Sequence, residues 1–142
     1  MRAHDIIVKE LKEMLESKGI ECLHFHRKSA EVMRKGFLNS ETEICGFTPD
    51  IIVKAGVTDE DIICIEYINS KRQLRSDARG MALLSLMGYL KAQSFVLVLN
   101  DNIVEMDRGT SEKLHLHQIN LSMFKKYLNR DSKESFLAFI RF

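Results

Sequence analysis

Two acids stand where apolar residues are expected. In "GFTPDIIVKAGVTDEDIICIEYINSK", Gly46 to Lys71, Asp50 opens one apolar run and Glu66 lies inside the next. A carboxylate in apolar surroundings costs several kcal/mol unless something pairs with it. In an extended chain Asp50, Ile52 and Lys54 share one face, and Glu66, Ile68 and Ser70 share one face. Neighbouring strands would bring the two acids to one sheet position. Close carboxylates repel unless a cation or a proton sits between them. A hard divalent ion, Mg²⁺ or Mn²⁺, takes one or two carboxylates, with waters and phosphate oxygens filling its shell. That combination serves phosphodiester hydrolysis, where a metal activates water and stabilises developing charge.

The plainer alternatives are specific. Asp50 after Pro49, the chain's single proline, fits a turn residue at a strand start. Glu66 could form a structural ion pair with Arg27 or Arg72. The pairs His24/His26 and His115/His117 have strand spacing that could ligate a transition metal, although alternating histidines on a solvent face are commoner. Cys22, Cys45 and Cys64 are an odd number without a C-x-x-C pair, which fits small core residues in a reducing cytosol. "RKSAEVMRK" and "KRQLRSDAR" are basic clusters that flank the acids. Arg27, Lys28, Arg34, Lys35, Arg72, Gln73 and Arg75 are the residues there that would meet a phosphate backbone.

The elements that must hold these residues are readable from periodicity. Residues 3–18 read as a helix with Ile7, Leu11, Met14 and Leu15 on its apolar stripe and Gly19 at its stop. "IECLHFHRK" (20–28) alternates like a strand, and "SAEVMRKGF" fits a short helix capped by Ser29. Residues 44–55 and 61–69 read as two strands joined by the turn-like "GVTDED". A long helix over 76–92, with Ser76 or Asp77 near its cap, precedes the fully apolar strand "SFVLVLN" (94–100). Then come an edge strand at "KLHLHQI" and a helix near 122–129, while "SFLAFIRF" fits either a strand or a helix. The order predicts an α/β fold: a three-layer sandwich with a mixed central sheet and core order α-β-β-β-α-β, plus a β/α C-terminal extension. A single domain over 1–142 is expected, with its core over about 3–100 and the extension over about 101–142.

Composition narrows the function classes. The 142 residues are 45% hydrophobic and 29% charged, an ordinary globular balance. A net charge of +1 excludes strong attraction of the whole chain to polyanions, so nucleic-acid binding must come from local patches. The longest apolar runs fall well short of a membrane span, and the charged N-terminal stretch lacks a signal-peptide core. The absence of tryptophan and of an aromatic platform argues against stacking readout of single strands.

Pro49-Asp50 before an apolar strand, then an acid in the next strand, resembles the PD-(D/E)XK nuclease superfamily, the restriction-endonuclease-like fold. The element order over about two-thirds of the chain is similar as well. The resemblance implies an Mg²⁺- or Mn²⁺-dependent endonuclease or exonuclease, with Asp50 and Glu66 as metal and catalytic residues. It implies a third metal-linked acid on the first helix, for which Glu10 is the matching position. Gln73 or Asp77 would correspond to polar residues that some members carry after the second acid strand. The departure is at the lysine: the motif wants acid-x-Lys, and this chain has Glu66-Tyr67-Ile68. Lys71, just past the strand, is the nearest candidate to replace it. Lys54 lies about 13 Å along the strand from Asp50 at ~3.3 Å per residue. Three readings follow: a metal-dependent nuclease acting on DNA in preference to RNA, a degenerate member that binds nucleic acid or protein without cutting, and an assembly domain whose acids are structural. Under each, a cytoplasmic protein without a membrane segment is expected. The helix over 76–92 and the apolar C-terminus offer surfaces for a homodimer.

Overall fold

The computed structural model describes residues 2–23, 49–57, 61–77, 92–113 and 116–141, the side chains of 92–94 and 113 excepted. Its elements are α1 (Ala3–Ser17), β1 (Cys22–Leu23), β2 (Ile51–Lys54), β3 (Ile62–Ile68), a helical segment α2 (71–77), β4 (Ala92–Leu99), α3 (Arg108–Lys113), β5 (Leu116–Asn120), α4 (Leu121–Arg130) and α5 (Lys133–Ile140). The strands form one mixed sheet in the order β1-β2-β3-β4-β5. β1/β2 and β2/β3 are antiparallel, whereas β3/β4 and β4/β5 are parallel. The α/β sandwich expected from the element order is the observed architecture.

Strand parity divides the core. Ile51, Val53, Ile63, Ile65, Tyr67, Val96, Val98 and Ile119 face a cluster built from Val8, Leu11 and Leu15 of α1, Phe124 and Leu128 of α4, and Phe136, Leu137 and Ile140 of α5. Phe124 and Phe136 meet edge-to-face at 5.2 Å between centroids, a contact worth about 1 kcal/mol beyond its burial. The opposite face carries Ile52, Cys64, Ile68, Phe95, Leu97 and Leu99, all buried, and Glu66 among them. Every residue of β3 is buried, as a central strand covered on both faces requires.

Helix α1 ends as its sequence predicts. Gly19 adopts φ +84°, a conformation that costs glycine nothing. This lets the Gly19 and Ile20 N–H groups donate back to the Glu16 and Leu15 carbonyls, a Schellman stop. The buried stripe differs from the predicted one: Val8, Leu11 and Leu15 are fully buried, while Ile7 and Met14 pack at its margin. Helix α2 starts earlier than expected. Ser70, not Ser76 or Asp77, caps it, accepting from the Gln73 N–H at 3.1 Å. Ser70-x-x-Gln73 is the capping-box spacing, and it outweighs the apolar periodicity that begins only later. Ala92 already belongs to β4, so the helix stops short of residue 92.

The C-terminal segment resolves as helix α5, capped by Ser132. It buries Phe136, Leu137 and Ile140 in the protein's own core, which removes this apolar stretch as a dimer surface. The extension is thus part of one core rather than an appendage. Residues 24–48, 58–60, 78–91 and 114–115 lie outside the described residues. With them go the expectations for Arg27, Lys28, Arg34, Lys35, Cys45, His24, His26, His115 and most of the helix over 76–92.

Candidate functional site

The β2/β3 register makes the acid pair. Ile51 pairs with Ile65 and Ile52 with Cys64, so one step further puts Asp50 opposite Glu66. The Asp50 N–H donates to Glu66 Oε1 at 3.0 Å, and the Tyr67 N–H donates to Asp50 Oδ2 at 2.9 Å. The two side chains thus continue the ladder beyond Ile51, the first residue of β2. Glu66 is only 4% exposed, while the Asp50 side chain is 19% exposed and reaches the surface.

Glu66 is electrostatically costly. Burial, the Asp50 contact and the charges of Asp50 and Asp77 together push its carboxyl well above the ordinary value of 4.5. The protonated form of Glu66 is therefore favoured relative to that of a free glutamate. Asp77, on the inner side of α2, is also raised, chiefly by burial and against hydrogen bonds from Glu66 and Gln73 that pull it down. Its Oδ2 is buried with no hydrogen-bond partner. The arrangement brings Asp50, Glu66 and Asp77 together from the start of β2, from β3 and from α2.

Helix α1 contributes a residue that the sequence reading missed. His4 Nε2 lies 3.2 Å from Asp50 Oδ2 and 3.0 Å from the Tyr67 carbonyl oxygen. His4 Nδ1 lies 3.2 Å from Asp5 Oδ1, and its ring tilts against Tyr67 at 5.4 Å. Hydrogen bonding to His4 is the main reason that the Asp5 carboxyl lies below its usual range. Gln73 completes the edge: its Nε2 donates to the Tyr67 carbonyl at 2.9 Å, and its Oε1 accepts from the Asn69 N–H at 3.1 Å. His4, Gln73, Asn69, Arg2 and Ala3 line an open cleft of about 290 Å³ beside Asp50. The signal for His4 was present, since His4, Val8, Leu11 and Leu15 fall on one helical stripe. A polar residue on that stripe must find polar partners where the helix meets the sheet.

The other expected site residues stand elsewhere. Glu10 forms an ion pair with Lys125 of α4 at 2.8 Å and is 46% exposed. It points along a different side of α1 from His4, about two-thirds of a turn away, so His4 and not Glu10 is the α1 residue that reaches Asp50. Lys71, Arg72 and Arg75 are exposed on α2. Lys54 pairs with Ile62 at the far end of β2. Ile68, at the lysine position of the motif, is 0% exposed. His117 Nδ1 lies 3.3 Å from the Ile140 carbonyl oxygen of α5, which accepts from it, and the ring meets Phe139 edge-on at 5.9 Å. Cys22 and Cys64 are free, buried thiols, with burial pushing both up to about 12.

The acid pair suits a hard divalent cation in its donor chemistry: two adjoining carboxyls, with a third buried carboxyl oxygen unpartnered. Among the described residues, no three His, Cys, Asp or Glu side chains stand in the geometry of a ready metal cage. Such a site would draw the rest of its shell from water and substrate. Among the described residues, no helix is long and apolar enough to cross a membrane. No family model matches this chain, and neither a curated protein nor a solved structure is significantly similar to it.

Proposed function

We propose that this protein is a divalent-metal-dependent hydrolase of nucleic-acid phosphodiesters, with Asp50 and Glu66 as its metal-binding acids. The observation that carries the reading is the pairing of Asp50 with the buried Glu66 where β2 begins, beside an open cleft. A structural role would be served better by an uncharged pair, because a buried carboxyl with a raised pKa weakens the fold at neutral pH. A bound Mg²⁺ or Mn²⁺ would supply an activated water and a counter-charge for the phosphate.

The chain's own residues do the rest. Asp50 is aimed by the Tyr67 N–H and by His4. Glu66 would hold the metal through its carboxyl oxygens, where metal binding and protonation would compete. Hydrolysis adds the water oxygen to phosphorus and breaks the bond to one sugar oxygen. One proton leaves the water and one returns to the departing oxygen. Exposed Lys71, Arg72 and Arg75 line the outer face of α2 beside the acids, in reach of a DNA backbone. Free buried Cys22 and Cys64 fit a cytosolic setting.

A second reading, a binding module without cleavage, is favoured by Ile68, which fills the lysine position with a fully buried side chain. One experiment separates the two. Cleavage of single-stranded, duplex and branched DNA is measured with Mn²⁺, alongside melting with and without Mn²⁺. The nuclease reading expects a higher melting temperature with Mn²⁺ and cleavage, both lost in Asp50→Asn. Mn²⁺ stabilisation and DNA binding without cleavage would favour the binding module. No response to Mn²⁺ would exclude both.

A further inference from the structure

The sheet ends at β5 without the devices that usually close an edge. Among the described residues β5 pairs with β4 alone, so its outer row of backbone groups faces away from the sheet. Natural edge strands are blunted by a charge, a proline, a bulge or very short length, because an open row of N–H and C=O groups recruits another strand. Leu116-His117-Gln118-Ile119-Asn120 holds no acid, lysine, arginine or proline, and its register against β4 runs without a shift. We propose that β5 seats a second copy of this chain, whose own β5 adds antiparallel to the first and joins the two sheets into one. The proposal does not depend on the acid-pair reading.

The chemistry along the edge is that of a surface complementary to itself. Antiparallel pairing about Gln118 sets Leu116 against the partner's Asn120 and His117 against the partner's Ile119, so no ionised side chain of the strand meets its like across the two-fold axis. An open groove of about 470 Å³ runs along β5 beside α3. Leu116 and Ser111 are its buried floor, and Glu105, Arg108 and Glu112 are its exposed rim. A rim of both signs can be its own complement under a two-fold, acid against arginine, whereas a rim of one sign would repel itself. The wall beside the edge is fixed, because Gln118 Oε1 accepts from the Met106 N–H at 2.8 Å and Gln118 Nε2 donates to the Met106 carbonyl at 3.1 Å. On the other side of the strand, the His117 ring meets Phe139, and Phe139 meets Tyr127 at 4.5 Å between centroids. All three rings are half-buried, so an added strand finds aromatic surface to pack on. An interface of standard size takes about 800 Å² from each partner, so the groove rim and these rings belong to it together with the strand.

Sedimentation equilibrium of the full chain from about 2 to 200 µM tests this. Wild type should reach twice the 16.4 kDa of one chain, at the upper end of that range at least. His117→Glu and His117→Lys each bring like charges together near the axis, and each alone should dimerise at least about tenfold more weakly. Mixed one to one, the two variants should regain a dimer within about threefold of wild-type strength, since opposite charges then face each other. Both variants forgo the 3.3 Å contact of His117 with the Ile140 carbonyl, so that loss is common to the single proteins and the mixture. Recovery on mixing also shows that each variant is folded. A wild type that stays at 16.4 kDa throughout overturns the proposal and leaves the edge to a different chain or to none. A dimer that neither charge weakens places the interface elsewhere and overturns it too. Loss in both variants without recovery on mixing would refute the pairing of edge with edge.

Discussion

Glu66→Gln should make the protein more stable. The amide keeps the Oε1 that accepts from the Asp50 N–H, so the ladder bond at 3.0 Å survives. It replaces a carboxyl, which must either hold a proton or repel its neighbours, with an NH₂ that donates to Asp50. Two ionised carboxylates about 4 Å apart repel by about 4 kcal/mol at an effective dielectric of ~20, a repulsion that adds to burial in raising the Glu66 carboxyl. A hydrogen bond to a charged acceptor is worth about 1.5–3 kcal/mol, so a net gain of order 1–3 kcal/mol at neutral pH is expected. For a chain of this size each kcal/mol moves the melting temperature by roughly 2–4 °C. The gain has a pH signature. Above its ordinary value of 4.5 and below its raised value in the fold, Glu66 is ionised when unfolded and protonated when folded. Raising the pH through that window draws the proton off and lowers the stability of the wild type. Below about 4.5 both states hold the proton, and the two proteins should melt together. Asp77, also raised, acts in the same direction in both variants. Urea melts across pH would show this as a midpoint that rises in the variant at unchanged m-value. A Glu66→Gln protein that is less stable than wild type at neutral pH would refute the account, since Glu66 would then be a stabilising partner. The same variant should lose its Mn²⁺ response, the exchange of function for stability expected of a binding site.

Ile68→Lys places an ammonium two residues from Glu66 on the same face. It should raise Mn²⁺-dependent cleavage by about tenfold while costing roughly 1–3 kcal/mol, because acids stand ready to pair with it. A larger loss of stability without added cleavage would show that position 68 serves only the core. Glu10→Gln should cost less than about 1 kcal/mol, as exposed ion pairs do, and leave the Mn²⁺ melting shift unchanged; a lost shift would return Glu10 to the site. Cys22 and Cys64, with thiols pushed up to about 12, should resist alkylation in the native protein at mildly alkaline pH and react on unfolding. Mass spectrometry of native and denatured samples would detect labelling at either position.

The acid pair was legible because sheet geometry obeys a period of two. Parity along 50–54 and 66–70 put both acids on one face, and the antiparallel register then set them opposite each other. Strands β3 and β4 were equally legible, since long β-branched runs have few other solutions. What the sequence concealed depended on contacts between distant elements. His4 needed knowledge of where the start of α1 meets the end of β3. Glu10 followed the resemblance onto the wrong side of the helix, where Lys125, 115 positions on, claims it. The start of α2 was set by one serine and one glutamine, a local signal easily outweighed by the longer apolar pattern behind it. "SFLAFIRF" carried no decisive period, and burial of alternate turns against α4 made it a helix.

Helix α1 is held from two sides, by β1 and β3 and by α4, which follows it by more than a hundred positions. Its apolar stripe packs with Phe124, Leu128, Phe136, Leu137 and Ile140, and Lys18 donates to the Asp131 carbonyl at 2.9 Å. The strands bearing Asp50 and Glu66 can pair as soon as both are synthesised, whereas α1, seated on β1 and β3, gains its second wall only when α4 exists. A chain ended after residue 100 should therefore exchange its α1 amides faster than those of β3.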